Sequence, residues 1–333
     1  MPPVSLDLTA RNLVAPGKGI LAADESLPTI EKRFKTLAIP STEENRRTYR
    51  ETLFTTPGLG EFISGAILFD ETLRQKSGDG TPFPAILGRQ GIIPGIKVDL
   101  GTTALANFPG EKITLGLDGL RERLNEYREL GARFTKWRAV ITIAGDLPTL
   151  TCIKANALKL AMFAARSQEA GLVPIVEPEI LMDGTHTLAR CEEVTDSTLR
   201  AVFDALLAHR GRLEGMLLKP AMVLPGAACP QQVSDEEIAA ATLRCLRRGV
   251  PAAVPGIVFL SGGQSPAQAT ARLAAIHRAG EAPWALSFSF GRALQEPALT
   301  AWSGKSENVG AAQAALLDGA RKNGAAVRTR VGT

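Results

Sequence analysis

The feature that most limits what this chain can fold into is a recurrence. Eight short apolar runs are spaced along 333 residues: 19–24 (GILAAD), 63–70 (ISGAILFD), 95–100 (GIKVDL), 132–140 (ARFTKWRAV), 173–180 (VPIVEPEI), 214–220 (EGMLLKP), 256–263 (GIVFLSGG) and 284–291 (WALSFSFG). Each is too short for a typical helix, and most are rich in Ile, Val, Leu or Phe, so they read as strands. Between most of them lie helical patterns with recognisable ends. Ser41 with Glu44, and Ser234 with Glu237, form capping-box spacings. Asp118 stands where it would cap 119–130, and Ser265 precedes Pro266 at a helix start. Gly131, Gly171, Gly211, Gly249 and Gly280 close helices. Residues 70–95 carry Gly and Pro and read as loop. Strand and helix alternating eight times predict a parallel sheet, which closes as a (β/α)8 TIM barrel or stays open as a doubly wound sheet. No repeat or linker calls for a second domain, so 1–333 reads as one domain with a short C-terminal segment at about 320–333.

Charged residues collect at the ends of these runs. Asp24 and Asp70 end the first two. Lys97 and Asp99, Lys136 and Arg138, and Glu177 and Glu179 lie in the next three, and Lys219 ends the sixth. Residues i and i+2 of a strand share a face, so each of the three pairs points one way. In a closed barrel these groups converge on the C-terminal mouth, where barrel enzymes keep their active sites. One charge at a strand end is ordinary solvation, and Asp70 is read so. Mixed signs inside several apolar strands are too costly to be incidental. After the last two runs, Ser261, Gly262 and Gly263, then Ser289, Gly291 and Arg292, precede helix starts. Free backbone N–H groups reached through glycine there make an anion site, at the position where such barrels hold phosphate.

A lysine amine kept from water is partly neutral and nucleophilic. Lys219 can then attack a ketone and form an iminium, an electron sink for breaking a neighbouring C–C bond. Like-charge repulsion from Lys136 would favour the neutral amine, and Glu177 and Glu179 could supply acid and base. Composition excludes other classes. The net charge of +4 and the lack of like-charge blocks give no nucleic-acid surface. No apolar run reaches the roughly 18 residues of a membrane span. The three histidines are scattered and show no metal-ligand spacing, so no metal or other cofactor is expected. The four cysteines form no C-x-x-C pair, and residues 1–8 lack signal-peptide character, so a reduced, cytoplasmic protein is expected.

The stretches GKGILAADES, GAILFDETL, PGIKVDLG, KWRAV, GLVPIVEPEIL, LEGMLLKPAMV, FLSGGQS and WALSFSFGRALQ, in that order, resemble class I (Schiff-base) fructose-bisphosphate aldolases from about residue 5 to 325. The resemblance implies a (β/α)8 barrel. It also implies reversible cleavage of fructose 1,6-bisphosphate to dihydroxyacetone phosphate and glyceraldehyde 3-phosphate in glycolysis and gluconeogenesis, without metal. It matches Lys219 to the Schiff-base lysine, Glu177 to the proton shuttle, and Asp24 to the base at the C4 hydroxyl. Lys136 matches the lysine that assists carbinolamine chemistry, and Glu179 the glutamate that holds the lysines by charge. Ser261, Gly262, Gly263, Ser289, Gly291 and Arg292 match the C1-phosphate pocket. Lys97, Arg138, Lys32 and Arg33 match cations near the other phosphate, and Ser26 and Thr29 match hydroxyl contacts. A homotetramer is implied too.

Some positions depart from the family pattern. Leu27-Pro28-Thr29 replaces the usual Thr-Gly-Ser, which stiffens that loop and admits another phosphorylated ketose, such as fructose 1-phosphate or sedoheptulose 1,7-bisphosphate. Asp70 stands where animal enzymes have histidine, and Leu100 where lysine is usual. The family's mobile tail with a terminal tyrosine is not seen in the ending AAVRTRVGT, where it is either cut away or lacking in this lineage, and the tyrosines of the sequence are Tyr49 and Tyr127. Enamine protonation is therefore expected to be slow or to use another group. Some aldolases of this type bind actin, so a scaffold role is the reading from another class.

Overall fold

A computed structural model describes residues 5–231 and 233–328. Eight parallel strands close into a barrel: β1 (Gly19–Ala23), β2 (Ile63–Leu68), β3 (Ile93–Lys97), β4 (Phe134–Ile141), β5 (Val173–Ile180), β6 (Leu217–Leu218), β7 (Gly256–Phe259) and β8 (Ala285–Phe290). Each strand pairs with the next in sequence, and Ile20 opposite Ser289 closes the ring. The sheet is thus closed, not open and doubly wound. All eight apolar runs are strands, because strands covered on both faces carry unbroken apolar sequence.

Alternation along the strands separates two cores. Ile20 and Ala22 of β1, Ile67 of β2, Phe134 of β4, Val173 and Ile175 of β5, Leu217 of β6 and Val258 of β7 pack together inside the barrel. The intervening residues, such as Leu21, Trp137, Val176, Leu218 and Phe259, join a larger layer under the surrounding helices. The N-terminal helix Leu6–Leu13 brings Ala10 and Leu13 into the inner cluster and plugs the N-terminal end of the barrel. Gly65 is required there, since a Cβ on it would lie 2.6 Å from Leu13 Cδ2.

Several local expectations change. The helix Glu43–Phe54 is capped by Thr42, whose hydroxyl accepts from Asn45 N, so Ser41 is not the cap. The helix Leu120–Glu129 starts from Gly119 at φ 62°, a left-handed turn that leaves Asp118 outside the cap. Residues 70–95 are not all loop: they include the helices Asp70–Arg74 and Phe83–Arg89 before β3. The helix Leu188–Ala208 turns off through Arg210 at φ 55°, and Gly211 has no positive φ. An antiparallel hairpin, Thr102–Ala104 with Lys112–Thr114, follows β3. The Ser234 and Ser265 capping boxes both form. The last helix, Val309–Ala326, takes in the first part of the expected terminal segment, and 329–333 lie outside the described residues.

Candidate active site

On four strands the inner face runs from apolar to charged in steps of two. On β1, Ile20 and Ala22 lead to Asp24. Phe134 leads to Lys136 and Arg138, Val173 and Ile175 to Glu177 and Glu179, and Leu217 to Lys219. The same alternation that fills the barrel with hydrocarbon therefore lifts these charges to its C-terminal mouth.

There they form one buried cluster. Lys136 Nζ is 2.6 Å from Asp24 Oδ2 and 3.2 Å from Glu177 Oε2, and Lys219 Nζ is 3.1 Å from Glu177 Oε1. Lys136, Glu177 and Lys219 are each under 5% exposed. Burial alone would raise the Asp24 carboxyl, but Lys136 and then Lys219 outweigh it and hold Asp24 well below the usual carboxylate range. Burial alone would lower Lys136, yet Asp24 and Glu177 push it above the usual ammonium range. Asp24 is thus a fixed carboxylate and Lys136 a fixed ammonium. Lys136 sits against two carboxylates, Asp24 and Glu177. Glu177 Oε2 faces Lys136 as an ion pair but has no aligned hydrogen bond among the described residues.

Glu179 lies elsewhere in the pairing: among the described residues it is engaged by Arg138 Nε and not by a lysine. Lys97 Nζ is 2.8 Å from Asp99 Oδ1 and stands over the Phe69 ring. Arg33 is paired with Glu25. Lys32 is exposed and makes no ion pair among the described residues. Ser26 and Thr29 touch each other, Oγ to Oγ1 at 3.0 Å, where the helix Leu27–Lys35 begins. The altered loop residues Leu27 and Pro28 are therefore the first turn of a helix.

The loops after β7 and β8 meet. Gly262 and Gly263 have φ 49° and 87°, a region that favours glycine. A Cβ on Gly263 would lie 2.8 Å from Met182 Sδ and 3.6 Å from Arg292 Nη2, so Arg292 reaches across the neighbouring loop. The helix Arg292–Trp302 starts at Gly291 without a side-chain cap. Ser289 Oγ is buried without a hydrogen-bond partner among the described residues, and Ser261 is also buried. Helix N-terminus, glycine backbone, guanidinium and hydroxyls together make an arrangement chemically suited to an anion.

Three residues at the mouth escaped the sequence reading: Glu25, Arg50 and Gln295. They form a buried network behind Asp24. Glu25 adjoins Asp24 but faces outward by alternation, and a buried arginine in an otherwise ordinary amphipathic helix was the one available signal. Among the described residues, no group of three or more His, Cys, Asp or Glu is placed to hold a metal ion.

A closed barrel with a buried lysine against a carboxylate, next to glycine-rich loops suited to an anion, fits the class of Schiff-base barrel lyases. The model of the class I fructose-bisphosphate aldolase family matches residues 5–332. A probable fructose-bisphosphate aldolase class 1 from Xanthomonas campestris is 57% identical over 96% of both chains. Fructose-bisphosphate aldolase 1 of Toxoplasma gondii is 54% identical over 95% of this chain and 88% of its own. The aldolase of Plasmodium falciparum, solved in complex with TRAP and a small molecule inhibitor, superposes with a TM-score of 0.97 at 50% identity, covering 98% of this chain and 95% of that one. The chain belongs to the class I fructose-bisphosphate aldolase family. It is a lyase that cleaves fructose 1,6-bisphosphate reversibly into dihydroxyacetone phosphate and glyceraldehyde 3-phosphate.

Proposed function

We propose that Lys219 is the nucleophile, Glu177 the proton shuttle and Asp24 the base for cleavage. The observation that carries this is Glu177, placed between two buried lysines with one oxygen toward each. Neutral Lys219 Nζ adds to the C2 ketone. Glu177 takes a proton from the added nitrogen and passes it to the C2 oxygen, a second proton from solvent completes the leaving water, and an iminium remains. Asp24 takes the C4 hydroxyl proton, the C3–C4 bond breaks, and its electrons flow into the iminium to give an enamine. The aldehyde product departs, the enamine is protonated at C3, and water releases dihydroxyacetone phosphate. The Lys136 ammonium stabilises the carbinolamine oxygen. Glu179 acts on this cluster through Arg138. Ser261, Gly262, Gly263, Ser289, Gly291 and Arg292 hold the C1 phosphate, and Lys97, Arg138, Arg33 and Lys32, with Ser26 and Thr29, serve the far end.

The helix start at Leu27-Pro28 favours a second substrate reading, in which fructose 1-phosphate or sedoheptulose 1,7-bisphosphate is preferred. Comparing kcat/KM for these with fructose 1,6-bisphosphate tests both. A value for the bisphosphate at least tenfold above the others supports the main reading, and the reverse order replaces it.

Cytosolic relatives in Arabidopsis thaliana support a cytoplasmic, glycolytic setting, and no described helix is long and apolar enough to cross a membrane. A homotetramer is the assembly we assign by family. The TRAP complex of the Plasmodium falciparum aldolase supports a protein-binding face, with actin as the partner to test by co-sedimentation.

A further inference from the structure

Asp24 is bracketed from behind. Gln295 Nε2 donates to Ala22 O and to Glu25 Oε1, both at 2.6 Å, and so grips the exit of β1 on either side of Asp24. Arg50 completes the frame, donating from Nη1 to Gln295 Oε1 at 2.9 Å and from Nη2 to Glu25 Oε2 at 2.5 Å. Tyr49 Oη donates to Gln295 Oε1 at 3.2 Å. Arg33 also engages Glu25 from the more open side. Arg50 and Gln295 are both nine-tenths or more buried. Both carboxylate oxygens of Glu25 and both polar atoms of the Gln295 amide thus have partners, and among the described residues Glu25, Gln295, Arg50 and Tyr49 make no side-chain hydrogen bond or ion pair with Lys136, Glu177 or Lys219.

We infer that Gln295 and Arg50 are positioning residues for the cleavage step: they fix the backbone at residues 22–25 so that the Asp24 carboxylate stands over the C4 hydroxyl. The inference rests on the role proposed for Asp24. Successive residues of an extended chain point to opposite sides, so holding the outward Glu25 sets the inward direction of Asp24. Gln295 is also one turn beyond Arg292 on the helix whose start forms the phosphate site. The frame therefore ties the base for C–C cleavage to the element that holds the phosphate, which fixes the distance between reacting bond and anchor. Schiff-base formation at Lys219 depends on Glu177 and is outside this frame.

The test separates two steps. Gln295→Leu and Arg50→Lys are compared with wild type and with Asp24→Asn. The readouts are kcat and KM for fructose 1,6-bisphosphate cleavage, and borohydride trapping of dihydroxyacetone phosphate on Lys219. Gln295→Leu loses both grips, and Arg50→Lys keeps the charge but loses the fork, so the milder variant carries the test if the first does not fold. A displacement of the base of about 1 Å lowers kcat by on the order of a hundredfold. We expect a loss of roughly 10- to 100-fold in kcat with little change in KM and trapping at the wild-type level. Wild-type kcat in Gln295→Leu and Arg50→Lys beside a crippled Asp24→Asn overturns the frame alone. Trapping lost in parallel with cleavage also overturns it, because the frame is then general scaffold. Wild-type kcat in Asp24→Asn removes the role of Asp24, and the inference with it.

Discussion

Lys219 Nζ lies 3.1 Å from Glu177 Oε1, and the other oxygen of the same carboxylate faces Lys136 at 3.2 Å. One glutamate therefore reaches both Lys219, the proposed nucleophile, and the Lys136 ammonium. Proton transfer to and from a reacting oxygen through a placed side chain typically contributes about 10²- to 10⁴-fold. Glu177→Gln should lower kcat by roughly that factor and slow the appearance of the trapped imine. Unchanged single-turnover imine formation would show that another group moves the proton.

The glycine at 263 carries a separate prediction. At φ 87°, with Met182 Sδ in the way of a Cβ, alanine is strained and pushes the loop off Arg292. A left-handed residue other than glycine costs about 1–2 kcal/mol, and every 1.4 kcal/mol is about tenfold in affinity. Gly263→Ala should raise KM for fructose 1,6-bisphosphate roughly tenfold and weaken competitive inhibition by inorganic phosphate in step. Equal phosphate inhibition in both proteins would place the anion elsewhere.

Acid stability follows from the direction of two shifts. Asp24 and Glu25 are both held below the usual carboxylate range, against burial, by Lys136 in one case and Arg50 in the other. A depressed folded value means that the unfolded chain binds the proton more readily. Their stabilisation is complete above the unfolded range near pH 4 and is lost as pH falls through the folded values. Urea midpoints measured from pH 7 down to 3 should fall steeply below about pH 4. Asp24→Asn should show a shallower fall, and an identical slope contradicts the assignment.

Arg50 is 3% exposed and pairs with Glu25 at 2.5 Å. Removing one partner of a buried ion pair typically costs about 3–5 kcal/mol. Arg50→Ala should lose that much in denaturant unfolding, whereas Arg321→Ala, which breaks only an exposed pair with Asp318, should lose under about 1 kcal/mol. Similar losses in the two would mean that Glu25 does not depend on Arg50.

Thiol chemistry gives an independent check of the packing. Cys152, Cys191 and Cys245 are buried, and burial pushes the Cys152 thiol up to about 11, whereas Cys229 is partly exposed. Thiolate and access control alkylation. Iodoacetamide at pH 8 should label Cys229 first, with the others modified only on unfolding, and early labelling of Cys245 would contradict the helix packing around it.

Much of this was legible in the chain because burial on both faces leaves apolar runs against which Asp24, Lys136, Glu177 and Lys219 stand out. The pairing was not. Arg138 is in register with Glu177 yet binds Glu179, because the stagger between barrel strands and the length of arginine decide the partner. The hairpin after β3 was missed because Thr102–Ala104 is exposed along its length and has no burial pattern to read. The two helices in 70–95 are too short to set a period. Glu25 looked like a flanking residue because only the fold brings Arg50 and Gln295, distant in sequence, to its outward side.

The most direct measurement is borohydride reduction of the protein with dihydroxyacetone phosphate, followed by digestion and mass mapping. A single adduct on Lys219, absent from Lys219→Ala, is the expected result. An adduct on Lys136, or none at all, would contradict the assignment of Lys219 as the nucleophile.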